Sequence, residues 1–292
     1  MTRTVYRERI PATDPRCRRH VLHDSDSRRY ETDTTGLTLT GFDWPVTAGP
    51  LDQGQAGACT AGASLTNLML GPFAAAPAIA SAVTKAFGGF TQPGIYNFYN
   101  DEENLDGDGP YPPNDNGSTG LTAAKVLRAK GVISGWTQTF SLNAALTAGQ
   151  KQPFITGTLW FNSMFEPNAE GIITVDPKSG VAGGHEWTVI GYDPARGLAK
   201  MRNDWGAWGI DGTGVALLEA ERYGYLLDQQ GDTTFFALPS QPAPTPVPPT
   251  PGDPDAALAA VAHPWVRHLH TTIAGNAGMR AALKAWLAAK NL

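Results

Sequence analysis

Between Pro239 and Pro254 the chain reads PSQPAPTPVPPTPGDP, eight prolines in sixteen residues. Proline fixes φ and carries no N–H, so this run fits neither a helix interior nor the middle of a sheet. It is expected to be an extended polyproline-II linker, and it divides the 292-residue chain. Beyond it, residues 255–292 are rich in Ala and Leu at helical spacing. Asp253 and Pro254 resemble an N-cap and a first-turn proline, and Pro264 breaks the first helix. Gly275 and Gly278 bracket a turn before a last helix in which Met279, Leu283, Trp286 and Leu287 share a face. So short a segment buries too little core to stand alone. It is expected to dock on a partner, on a second copy or on the main domain.

At the other end, residues 1–36 hold eight of the fourteen arginines, including Arg7, Arg9, Arg16, Arg18 and Arg19. Runs of charge are usually solvated, so this basic arm reads first as a solvated tail and otherwise as an arm for an acidic partner. Between arm and linker, residues 37–238 have globular composition. Cys59–Leu70 (CTAGASLTNLML) reads as a buried helix whose small residues allow close packing, and Leu121–Ala129 as a second helix ending at Gly131. Later segments such as PFITGTLWF, GHEWTVIGYD and TTFFAL are short, rich in β-branched and aromatic residues, and punctuated by Gly, Pro and Asp. A helical half followed by a strand-rich half predicts an α+β domain of two lobes.

The net charge of −5 argues against a nucleic-acid binder. The most apolar stretch, Leu68–Phe87, is interrupted by Pro72 and Pro77 and falls short of a membrane span. The charged N-terminus lacks the apolar region of a signal peptide. A soluble protein made in the cytoplasm is expected.

Two cysteines exclude a disulfide framework and a Cys-rich zinc module. Within 37–238, Cys59 is the only cysteine and His185 the only histidine, too few for a zinc site without carboxylates that no spacing supports. Asp106 and Asp108 begin a calcium-like loop, but Pro110 stands where a ligand belongs and no Glu closes it. Neither metal nor cofactor is expected. One cysteine and one histidine in a domain suit a nucleophile and its base.

Their surroundings agree. In LDQGQAGACTAGAS a Gly-rich turn precedes Cys59, which opens a helix whose first N–H groups favour a thiolate. Gln53 is six residues upstream, within reach as an oxyanion donor beside the Cys59 N–H. GGHEWTVIGYD is a strand on which His185, Trp187 and Val189 share a face. LAKMRND returns after DPARG, and if Tyr192 opposes Leu198, Asn203 lies diagonal to His185 and can orient its ring.

These motifs resemble the papain-like (C1) cysteine peptidases, especially their compact bacterial and phage types. The resemblance runs from FDW (Phe42–Trp44) through QGQAGAC, YNFYN (Tyr96–Asn100) and DNGSTGLTAAKVLRAKGV to GGHEWTVIGYD and RNDWGAWGIDGTG. It implies a helical lobe and a β-barrel-like lobe with the active-site cleft between them. It also implies a catalytic set of Cys59 as nucleophile resting as a thiolate, His185 as base resting as imidazolium, Asn203 as orienting residue and Gln53 as oxyanion donor. Trp205 would shield the Asn–His contact, and Asn116, Gly117 and Ser118 would lie along the substrate cleft. The implied activity is hydrolysis of a peptide or protein substrate through a thioester; with a phage source, association with the virion would follow.

Two departures stand out. Ala56 replaces the disulfide cysteine of secreted members, as suits a reducing compartment, and Thr60 replaces the usual aromatic after the nucleophile. No inhibitory propeptide of family size precedes the domain, so either the arm blocks the cleft or the enzyme is constitutively active on a restricted substrate. Two other readings stay open: an amidase or endopeptidase acting on cell-wall peptides, and a catalytically silent module that holds a peptide in its cleft.

Overall fold

The computed structural model describes residues 5–24 and 27–246. The second half of the linker and the helical segment expected over 255–292 lie outside the described residues.

Two short strands, β1 (Val5–Glu8) and β2 (Val21–Asp24), pair antiparallel within the arm, and β3 (Phe42–Asp43) follows. The helical lobe is built around α1 (Cys59–Leu68), in which every residue is buried. A helix without a polar face survives in water only if it is enclosed, and its Ala61, Gly62, Ala63 and Ser64 let neighbours approach closely. The apolar run after it breaks where the prolines require. Pro72 falls in the first turn of α2 (Gly71–Ala74) and Pro77 opens α3 (Pro77–Phe87), which buries Ile79, Val83 and Phe87 along one stripe. The next helices are α4 (Gln92–Asp106), capped by Thr91, and α5 (Gly120–Ala129), capped by Thr119. Leu65, Phe73, Phe87, Phe98 and Leu127 form the core of this lobe.

The second lobe is an antiparallel sheet of β4 (Gly135–Thr137), β5 (Phe154–Phe161), β6 (Val181–Asp193), β7 (Leu198–Arg202), β8 (Val215–Glu219) and β9 (Asp232–Ala237). The strands run in the order β4-β9-β5-β6-β7-β8, with β3 also on β6. Two helices, α6 (Leu142–Gly149) and α7 (Ala220–Asp228), pack on this lobe, whose core includes Phe154, Trp160, Trp187, Met201 and Tyr223. The expected two-lobed α+β architecture is present, with the strand lobe an open sheet. Among the described residues no helix is long and apolar enough to cross a membrane.

The hairpin that carries the histidine differs in detail from its expected register. Tyr192 faces Ala199, and Leu198 faces Asp193, one residue off the expected pairing. A bulge at Ile190 then absorbs one residue, so that Thr188 faces Arg202. The bulge restores the expected alignment where it matters, next to Asn203.

The solvated-tail reading of the arm is corrected. Arg7 forms ion pairs with Asp106 and Asp108, and Arg9 pairs with Asp108. The acidic loop that resembled a calcium site thus receives arginines. Residues 13–20 then run between the lobes. On the sheet side the N–H groups of Thr13 and Arg19 donate to the carbonyls of Ala182 and Gly184, and on the helical side that of His20 donates to Ser118. The acidic partner of the arm is its own chain.

Candidate active site

His185 sits in the buried part of β6, and its Nε2 lies 2.7 Å from Oδ1 of Asn203. That same oxygen accepts the Asp204 N–H at 2.9 Å, so the ring nitrogen donates to it. His185 is thereby held as the Nε2–H tautomer, with Nδ1 carrying the lone pair. Trp205 and Trp160 enclose the ring, with centroids 4.7 and 4.8 Å from it. Trp205, expected to shield the Asn–His contact, thus lies against the His185 ring.

Trp205 has a second contact. Its indole N–H donates to Oε1 of Gln53 at 3.0 Å. An indole nitrogen can only donate, so the Gln53 amide is oriented with Nε2 pointing away from it. Nε2 donates to the carbonyl of Ala56 at 2.6 Å and to that of Arg16 at 3.2 Å. Cys59 opens α1 and is completely buried. Its helix packs on β6, the strand that carries His185. Thr188 ties the two lobes here by donating its hydroxyl to the Ala63 carbonyl in α1.

The loop over residues 115–118 is held from below by the carboxylate of Glu103, which accepts the N–H groups of Asn116 and Gly117 at 2.8 and 2.9 Å. The Tyr99 hydroxyl also receives the Gly117 N–H. Gly117 has φ of +84°, and a β-carbon there would collide with the Arg18 carbonyl. The Asn116 and Ser118 carbonyls both receive bonds from His20 of the arm. All three expected cleft residues therefore border the segment that fills the cleft.

Electrostatics in this state differ from the expected ion pair. Burial, reinforced by Asp204, holds the Cys59 thiol well above its ordinary value. Burial pushes His185 down to about 4, against the bond to Asn203. Both shifts favour the neutral thiol and the neutral imidazole, and burial is the first cause of each. Arg16 completes the cover, its guanidinium 4.4 Å from the Trp205 ring centroid and 5.2 Å from that of Phe165.

Several contributors were not foreseen. Asp204 is fully buried with Oδ1 4.0 Å from His185 Nε2, and its side chain fills the space left by the missing β-carbon of Gly62 in α1. Burial raises this carboxyl well above its ordinary value. Thr60, at the position of the usual aromatic, donates to buried Glu102 of α4 at 2.6 Å. The only sequence signal for these groups was their place beside Asn203 and within YNFYNDEE.

With this geometry in hand, the comparisons are direct. Xylellain, a cysteine protease from Xylella fastidiosa, superposes with a TM-score of 0.50 at 18% identity, covering 72% of this chain and 91% of that one. The fold is papain-like. Procathepsin L 3 of the Tenebrio molitor larval midgut superposes more loosely, with a TM-score of 0.41 at 17% identity over 73% of this chain and 74% of that one. In sequence, the chain is 30% identical over 194 residues to the gamete and mating-type specific protein A of Dictyostelium discoideum, a match covering 59% of this chain. It spans 40% of that protein's length. No family model matches the chain. In the papain-like fold seen here, the helix opened by Cys59 belongs to one lobe and the strand that carries His185 to the other, with residues 13–20 between them.

Proposed function

We propose that this chain is a cysteine peptidase, made latent by its own arm, that hydrolyses peptide bonds through a thioester acyl-enzyme. The observation that carries the reading is a peptide group already seated in the cleft. The Arg16 carbonyl accepts from Gln53 Nε2, and His185 Nδ1 is buried without a hydrogen-bond partner. A site that presents an oriented amide donor and a histidine to a peptide carbonyl suits acyl transfer.

In the reading, the arm leaves, water and substrate enter, and the Cys59 proton passes to His185 Nδ1. The thiolate attacks the substrate carbonyl, while Gln53 Nε2 and the Cys59 N–H receive the oxyanion. The protonated His185, held by Asn203, gives its proton to the departing amine and leaves a thioester on Cys59. Water, deprotonated by His185, then releases the acid and regenerates the thiol. The arm resists this chemistry because its own amide is engaged elsewhere: the Cys17 N–H, which would become the leaving amine, donates to Asp14 in a tight turn. In the same reading the catalytic domain spans 37–238.

The test is digestion of a denatured protein and of purified peptidoglycan by the full chain with the arm unfastened by Arg7→Gln and Arg9→Gln, and by the same chain carrying Cys59→Ala, with products mapped by mass spectrometry. Cleavage of the protein that disappears in Cys59→Ala is expected. Release of fragments from peptidoglycan alone would favour the cell-wall amidase. Cleavage undiminished in Cys59→Ala would overturn the mechanism.

A further inference from the structure

Arg19 of the arm is fully buried between β5, β6 and the start of β9. An enclosed guanidinium is tolerated only where acceptors surround it. Its Nη2 donates to Asp232 Oδ2 at 2.5 Å and its Nη1 to the Gln230 carbonyl at 2.9 Å. Nε lies 3.8 Å from Oε2 of Glu186, the residue next to His185. Space is cleared by Gly157, where any β-carbon would collide with the guanidinium. Both Glu186 oxygens and Oδ1 of Asp232 are buried without a hydrogen-bond donor. The pocket therefore holds acceptor capacity that Arg19 does not exhaust.

The backbone beside this pocket is held independently of the side chain. The Arg19 N–H donates to the Gly184 carbonyl and the His20 N–H to the Ser118 carbonyl. Any peptide making those backbone bonds delivers one side chain into the same pocket. Two bonded acceptors and a carboxylate 3.8 Å from Nε, spread around a planar fork, suit a guanidinium and are poorly used by the compact ammonium of lysine.

We infer that the pocket filled by Arg19 is a guanidinium-selective subsite, so that substrates carrying arginine at one fixed position near the cleaved bond are preferred. The substrate preference rests on the peptidase reading above; the selectivity of the pocket does not.

Two measurements on the full chain keep these apart. The first is thermal unfolding of Arg19→Ala with millimolar ethylguanidinium or ethylammonium. Ethylguanidinium is expected to raise Tm by about a few degrees by binding the vacated pocket. The shift should be absent in the parent chain and in Arg19→Ala combined with Asp232→Asn. No shift, an equal shift with ethylammonium, or a shift that survives Asp232→Asn overturns the pocket.

The second is the cleavage map of a denatured protein, made with the arm unfastened by Arg7→Gln and Arg9→Gln. Arginine is expected to be enriched over lysine and leucine by about tenfold at one position, and Asp232→Asn to cut the arginine-to-leucine ratio about tenfold. Absence of enrichment, or enrichment unchanged in Asp232→Asn, overturns the preference. If Arg19→Ala does not fold, the map with Asp232→Asn decides alone. If nothing is cleaved, the peptidase reading falls and the melts still decide the pocket.

Discussion

The carbonyl oxygen of Arg16 lies 3.2 Å from the side-chain nitrogen of Gln53, so the amide donor of the cleft is occupied by the chain's own backbone. The same amide is fixed from its other side by Trp205, which also packs at a tilt against His185. Orientation of donor and base is thus shared through one indole.

Replacing Gln53 with Ala removes that donor without touching the nucleophile. On peptide substrates kcat is expected to fall by about 10²- to 10³-fold with KM little changed, measured by steady-state kinetics. A fall in KM-linked binding alone would assign Gln53 to positioning the arm instead.

The arm is fastened at its outer end by Arg7 and Arg9 on Asp106 and Asp108. Changing both arginines to Gln is expected to speed alkylation of Cys59 by about tenfold, equivalent to ~1.4 kcal/mol. Rising salt should act in the same direction on the unaltered chain. Alkylation read by peptide mapping separates Cys59 from Cys17, which is also buried.

Acid should loosen the same closure. His20 and His185 are each pushed by burial from the ordinary 6.5 down to about 4. Arg9, Arg7 and Arg19 add to the effect on His20, and Arg16 to that on His185. Groups with lowered basicity in the folded state contribute stability that is full above pH 6.5 and is lost as pH falls through 4. His20 Nδ1 accepts the Ile10 N–H at 3.1 Å, a bond that protonation of that nitrogen destroys. The Tm of the full chain is expected to fall, and Cys59 alkylation to accelerate, across this interval. A flat response would place both histidines in water.

Thr60 and Glu102 give a test inside the helical lobe. Burial raises the Glu102 carboxyl well above its ordinary value and so favours the neutral acid, which an amide resembles; Glu102→Gln should change Tm little. Thr60→Val leaves its acceptor bare and should cost about 1–3 kcal/mol, read by denaturant unfolding.

How far the sequence alone reached can be judged residue by residue. The nucleophile helix was legible because a Gly-rich turn and a run of small residues are local signals. The His185–Asn203 contact was legible because strand pairing converts spacing into proximity, although the Ile190 bulge was not visible in the pattern. What escaped were groups whose partners are remote in sequence. Arg19 meets Asp232 across more than two hundred residues, and nothing in a run of arginines tells a solvated face from one that fits acidic sockets. Asp204 escaped for the opposite reason: its burial depends on Gly62 lacking a side chain.

Because residues 13–20 belong to the same polypeptide as the cleft they fill, their occupancy does not depend on how much protein is present. A tethered segment meets its site at an effective concentration near the millimolar range, and dilution leaves that unchanged. A free peptide must compete against that internal concentration rather than against an empty groove. Under the proposed reading, lifting of the arm is a first-order event in each molecule, and its rate should be the same in a concentrated solution and a dilute one.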